Sequence, residues 1–271
     1  MNIAIIVKTF RDSVLLLLMV VVGVTLLEVM FVGAISEFAK EIEYLWLNRA
    51  LFQRLIRMLA GAELSIDVTP TGLMTIGFAH PVMFTLVWGF ALVTCSRVVV
   101  GEVERGTADL LLTLPVSRST VYASVSLVWV LCGLPISFAT LLGAKVGAIC
   151  FDFDQPLELA TLALVVPNLL SMFVCVGCLT MCCASFVSSR GAAVSIVVAC
   201  LLSSFVLNYF ALLWPAAERI SVIGMMHYYR PMVVVRSGEW PIGDISVLLV
   251  SAAVFWVVGL IRYSTKDVPT A

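Results

Sequence analysis

Six stretches of this chain are long and apolar enough to cross a hydrocarbon core, and that limits the folds open to it. They run from Ser13 to Ile35, Thr71 to Val100, Ser119 to Ile149, Leu157 to Val187, Gly191 to Leu213 and Ile245 to Arg262. A helix rising 1.5 Å per residue needs about 20 residues to span roughly 30 Å of lipid. Lipid offers no partner to a free backbone N–H or C=O, so the spans must be helices that satisfy their own hydrogen bonds. Composition agrees: of 271 residues, 62% are hydrophobic and 12% charged, against about 25% charged in a soluble domain. Mean hydropathy is +1.11. The expected fold is an all-α integral membrane protein of six transmembrane helices, a single transmembrane domain over 1–271 with no room for a soluble domain beside it.

The first run could also be read as a leader, with Val14 to Leu27 as its apolar core and Val32 and Ala34 near a cleavage point. Its length and the apolar character of the neighbouring segment favour a retained span. Lysine and arginine placement suggests a cytoplasmic amino terminus. Lys8, Arg11, Arg97, Arg105, Arg118, Arg190, Arg262 and Lys266 then lie inside, and the short turn from Phe151 to Pro156 carries no base. Asp152, Asp154 and Glu158 make that turn acidic. The expected location is the inner or plasma membrane, with many passes and lipid as constant neighbour.

Two outer segments stand between spans. Residues 36–70 place Leu45, Leu47, Leu51, Leu55, Ile56 and Leu59 at helical spacing opposite Lys40, Arg49, Arg54 and Arg57, the pattern of an amphipathic helix at the interface. The segment from Trp214 to Asp244 is half apolar and interrupted by Pro215, Pro231 and Pro241, which predicts a re-entrant or interfacial hairpin before the last helix.

Ionisable residues inside the spans are few. Glu28 is the main one; in lipid it would cost roughly 2.5 to 3.5 kcal/mol, so it should face the bundle or water. Either it lines a substrate path or a neighbouring helix satisfies it. Lys145 is close enough to a span end to reach the interface. The eight cysteines fall in or at the ends of spans and form no disulfide framework. Cys175, Cys178 and Cys182 share a helical face beside Met172, a soft-ligand pattern that suits copper(I), but small residues on one face also serve close helix packing. The expectation is no metal and no cofactor. No phosphate loop, H-E-x-x-H or G-x-S-x-G motif occurs, so no enzymatic activity is expected, and nothing points to nucleic acid.

Between the second and third runs the chain turns polar: G-E-V-E-R-G-T-A-D-L-L-L-T-L-P-V-S-R-S-T-V-Y, residues 101–122. Thr107 can cap a short helix, Asp109 suits its positive end, and Pro115 disfavours helix at Leu114. Ser117 or Ser119 can cap the next helix. Leu110, Leu111 and Leu114 give this charged element an apolar side, which fits helix-in-groove docking onto a soluble protein as well as a plain interfacial loop.

This stretch resembles the signature of ATP-binding-cassette type-2 permeases, E-x-E-x-G-T followed by a leucine pair, a proline and S/T-R. Glu102, Glu104, Arg105, Gly106, Thr107, Leu110, Leu111, Pro115, Val116, Ser117 and Arg118 match in order and in the same topological slot. More loosely, Ile220 to Gly238, with Ser221, His227 and Tyr228, is similar to the region before the final span of such permeases. The resemblance implies a membrane subunit of an exporter, paired with a second copy and driven by two cytosolic ATP-binding subunits. In that family the segment after the second span is the coupling helix. Glu102 and Glu104 would offer it charge partners, Leu110 and Leu111 an apolar insert, Gly106 and Pro115 its breaks, and Arg118 a contact to phosphate head groups or an acidic patch. Other classes remain: an anchoring or assembly subunit that recruits a soluble ATPase, and an ATP-independent carrier or channel, which the scarcity of intramembrane charge disfavours. The sequence names no cargo.

Overall fold

The computed structural model describes residues 1–48, 69–99, 116–153, 155–211 and 214–265. Every regular element among them is helical: α1 (Ile3–Asn48), α2 (Pro70–Phe78), α3 (Pro81–Val99), α4 (Arg118–Cys150), α5 (Leu159–Ala163), α6 (Val165–Phe186), α7 (Arg190–Ala211), α8 (Pro215–Ser221), a 3-10 turn at Met225–Tyr228, α9 (Pro231–Ser237) and α10 (Ile242–Thr265). Five helical stretches are long and apolar enough to cross a membrane. There is a sixth if α2 and α3, bent by 45° at a short break, count as one broken span.

Local chemistry explains where these helices differ from the apolar runs. The first run continues as one helix past Ile35 to Asn48, because no glycine or proline falls between Ala34 and Asn48 to stop it. Thus the first part of the expected interfacial helix, residues 36–48, extends α1 instead of starting a separate element; residues 49–68 lie outside the described residues. The second run breaks before Pro81, whose ring disfavours helical geometry at His80. There His80 Nδ1 accepts a hydrogen bond from the Val82 amide at 3.3 Å, starting α3 afresh. Thr69 caps α2 through the Gly72 amide at 3.1 Å, with Pro70 in the first turn. Of the two serines proposed to cap the third span, Ser117 does so, accepting from the Thr120 amide at 3.2 Å.

α6 forms the centre and is buried along most of its length. Helices in lipid gain nothing from excluding lipid, so they need close contact, and this bundle achieves it with glycine. α4 and α6 lock reciprocally. Trp129 of α4 lies over Gly177, where an added Cβ would sit 2.5 Å from its ring, and Phe173 of α6 lies over Gly133 at the same distance. On the other side of α4, Gly143 and Gly147 admit α1: a Cβ at Gly143 would meet the Thr25 carbonyl oxygen at 2.5 Å, and one at Gly147 would meet Val32. Gly259 does the same for α10, where a side chain would strike the Tyr122 hydroxyl and the Cys182 backbone.

Candidate functional site

The polar segment between the second and third spans comes first. Glu102, Glu104, Arg105, Gly106, Thr107, Asp109, Leu110, Leu111 and Pro115 lie outside the described residues, and the expected coupling helix lies there with them. Ser117 and Arg118 are described: Ser117 holds the first turn of α4, and its hydroxyl also meets Ser119 Oγ at 3.0 Å and Thr120 Oγ1 at 2.8 Å. Arg118 opens α4, and Val116 packs against the core. The end of α3 is held by arginines. Arg97 donates to the Asp12 carbonyl of α1 at 3.2 Å. Arg190, at the start of α7, donates to Ser96 Oγ at 3.1 Å and to the Val93 carbonyl at 3.2 Å. The arginine links satisfy polar groups where one span ends, and they tie α3 to α1 and α7 to α3.

Glu28 comes second. It is fully buried on α1, enclosed by α2 and α4. Gly143 of α4 leaves room for its Cβ, and a Cβ on Gly77 of α2 would come within 3.2 Å of Oε2. Neither carboxyl oxygen has a hydrogen-bond partner among the described residues. Phe31, one turn on, meets His80 edge to face at 5.2 Å. Tyr229 is buried nearby and donates to the Phe78 carbonyl at 3.2 Å. Burial, and second the Glu28 carboxyl, push its phenol well above the ordinary range. Sequence reasoning left two roles open for Glu28, a substrate path or satisfaction by a neighbouring helix, and among the described residues no neighbour hydrogen-bonds it.

The third feature was not anticipated. Arg230, just before α9, makes a forked ion pair with Asp244 in the first turn of α10: Nη2 lies 2.9 Å from both carboxylate oxygens and Nε 3.2 Å from Oδ2. It ties the hairpin to the last span. The residues were visible, but Arg219, Arg230 and Arg236 all stand in the same outer segment and pattern could not choose among them. Beside the pair, Ser221 Oγ lies 3.0 Å from His227 Nδ1, and Tyr228 donates to the Val222 carbonyl at 2.8 Å. Burial, and then the Arg230 guanidinium, hold His227 below its ordinary value of 6.5. Gly238 closes α9 with φ +64° and donates to the Val234 carbonyl, the left-handed cap that a side chain would strain. Between α7 and α10 the short helices α8 and α9 start at Pro215 and Pro231, and α8, the 3-10 turn and α9 are each too short to cross a bilayer.

Cys175, Cys178 and Cys182 are buried on α6. Cys175 Sγ meets Met225 Sδ at 3.4 Å, a contact that joins α6 to the hairpin. Among the described residues no three His, Cys, Asp or Glu side chains come together as a metal site would require. Cys182 stands where Gly259 of α10 approaches, as close packing demands.

A family model described as a protein of unknown function, DUF2705, matches residues 67–269. The chain belongs to the DUF2705 family. No curated protein matches it. The DUF2705 region takes in the polar segment 101–118, the glycines that face Glu28 and the Arg230–Asp244 pair, whereas α1 and Glu28 itself precede it.

Proposed function

We propose that this DUF2705 chain is the membrane-spanning permease subunit of an ATP-driven exporter of the ATP-binding-cassette type-2 kind. It forms the translocation path, carries no catalytic residue, and works as a pair of copies with two separate cytosolic ATP-binding subunits. Its amino terminus is cytoplasmic, in the inner or plasma membrane. One observation carries the reading: eleven residues from Glu102 to Arg118 match the type-2 signature in order, between the second and third apolar runs. Support comes from the framework around that segment. The span before it ends in helices tied by Arg97 and Arg190, and the span after it starts at a capped Arg118.

In this reading Glu102, Glu104 and Arg105 meet charges on the ATP-binding subunit, Leu110 and Leu111 enter a groove on it, and Gly106 and Pro115 set the bends. Docking alone moves nothing. The segment must bind the nucleotide-closed partner more tightly than the open one, and that difference, through the tied ends of α3, α4 and α7, shifts the population of helix arrangements. Glu28, buried with no partner among the described residues, is assigned to the path.

Glu104→Lys and Leu111→Asp should leave membrane insertion intact and abolish capture of the ATP-binding subunit in pull-downs from detergent extracts. Retained capture by both variants overturns the docking assignment. A second reading, in which the chain anchors a soluble ATPase without transporting anything, shares the docking segment. It predicts ATP hydrolysis indifferent to any cargo and to replacement of Glu28.

A further inference from the structure

Between α3 and α7 lies a sizeable apolar cavity of about 370 Å³. Its shape comes from how those two helices are joined. Arg190 clamps the end of α3 to the start of α7, and the helices part above the clamp. Phe84, Trp88 and Gly89 form the α3 wall, and Leu201, Leu202 and Phe205 the α7 wall. The back is buried, with Phe84 stacked on Trp88 at 4.4 Å and edge-on to Tyr229 at 5.7 Å. The front is open, since Leu202 and Phe205 of α7 are exposed.

Two details separate this cleft from an ordinary lipid-facing groove. At Gly89 an added Cβ would meet nothing within 4 Å, so the glycine opens volume there and no described helix packs against it, unlike Gly133, Gly143 or Gly177. And Trp88 Nε1 is buried with no acceptor among the described residues; the neighbouring Thr85 hydroxyl donates to the Pro81 carbonyl at 2.8 Å and does not accept from the indole. Trp88 lies well inside α3, about 13 Å of helix from Arg97 at the end of the bent pair Pro70–Arg97. At that depth lipid tails are pure hydrocarbon and offer an N–H no acceptor, and a buried donor left unsatisfied is costly.

We propose that this cleft binds a lipid-like amphiphile: an acyl or other hydrocarbon chain against Phe84, Leu201 and Phe205, and a carbonyl or ether oxygen that accepts a hydrogen bond from Trp88 Nε1. The open side admits it laterally from the bilayer. As a substrate class this rests on the exporter reading; as a binding site it does not, because occupancy needs no ATPase.

The test uses two photoactivatable probes in native membranes that hold the full chain: a diazirine-bearing monoacylglycerol, which carries an ester, and a diazirine hydrocarbon of equal length, which does not. The ester probe should label peptides from 81–92 and 198–205 in preference to the exposed face of α10 around Val250, and should exceed the hydrocarbon there by about 2- to 10-fold, the worth of one neutral hydrogen bond. Trp88→Phe should erase that preference and keep the labelling. Gly89→Trp should fill the cleft and lose the labelling, and so should Leu202→Trp, whose exposed position spares the fold. Equal labelling by both probes in the wild type, or labelling in the cleft no stronger than at Val250, overturns the proposal by showing bulk lipid only. A Leu202→Cys variant that cross-links efficiently to a second copy also overturns it, by showing that protein fills the cleft. Failure to capture an ATP-binding subunit would remove the exporter reading and leave the binding result standing.

Discussion

Two carboxylates show how differently this chain treats charge in and near the membrane. Asp244 stands at the start of the last span, 14% exposed, and is held by both nitrogens of the Arg230 fork. Glu28 is wholly buried against two other helices and has no described partner. The first is a fastening: it fixes the hairpin to α10, and part of its strength is lost to water because the arginine is 41% exposed. The second makes no hydrogen bond among the described residues. The chain retains a costly group at a close helix contact, beside Gly143 and Gly77, where a Cβ on either glycine would press on Glu28 or its neighbours. The ion pair gives Asp244 a structural role, whereas among the described residues nothing gives one to Glu28, the residue proposed above for the path.

The contrast can be broken from several sides, beginning with the largest effect. Gly143→Leu drives a side chain into the Thr25 carbonyl and the Glu28 stem, and overpacking of this kind costs about 1–3 kcal/mol or more. The variant should unfold at clearly lower denaturant in detergent; an unchanged midpoint would show that α1 does not seat on α4 as described. Next, Glu28→Leu removes an unpartnered polar group at similar volume and should stabilise the protein by roughly 1–3 kcal/mol while impairing cargo-dependent ATP turnover of the assembled complex. Loss of stability there would mean that the carboxyl has a partner after all. Asp244→Asn should work in the opposite direction and more weakly, costing about 0.5–1 kcal/mol because the pair is partly solvated.

His227 gives the smallest effect. Its folded value lies below 6.5, so both states are neutral above that pH and its share of stability is complete. As pH falls below 6.5 the unfolded chain takes the proton first, and stability declines until pH passes the folded value. The groups facing the ring are Ser221, Arg230, Asp244 and Glu218; the arginine deepens the effect and the two acids oppose it. A thermal midpoint that drops between pH 7 and 5 in the wild type and less in His227→Gln is the expected result; parallel curves would contradict it.

These features were unequally legible in the sequence. Five long apolar helices were, because twenty apolar residues in a row have few physical options, although the second run is a bent pair; Ser117 was one of two serines offered as the cap, and the prolines between α7 and α10 act within a few residues. The continuation of α1 through residues 36–48 was misread: an amphipathic pattern says which face is apolar but not whether a new helix begins, and nothing in that stretch stops the old one. Pairings across the fold were not legible. Gly133 with Phe173, Gly143 with Thr25 and Arg230 with Asp244 depend on the register between helices, which no local pattern encodes. Nor was the cleft, since Gly89 and Trp88 read as two more residues of an apolar run. The residues proposed for docking stand out only as a motif, by order and spacing, and most of them lie outside the described residues.

The most direct test of the account is the set of proteins that accompanies the chain out of the membrane. Tagged, gently solubilised and purified under conditions that keep a known transporter complex whole, it should bring with it a soluble protein with a phosphate loop, near one per copy, and lose it with Glu104→Lys or Leu111→Asp. A chain that purifies without any such partner under those conditions contradicts the exporter reading.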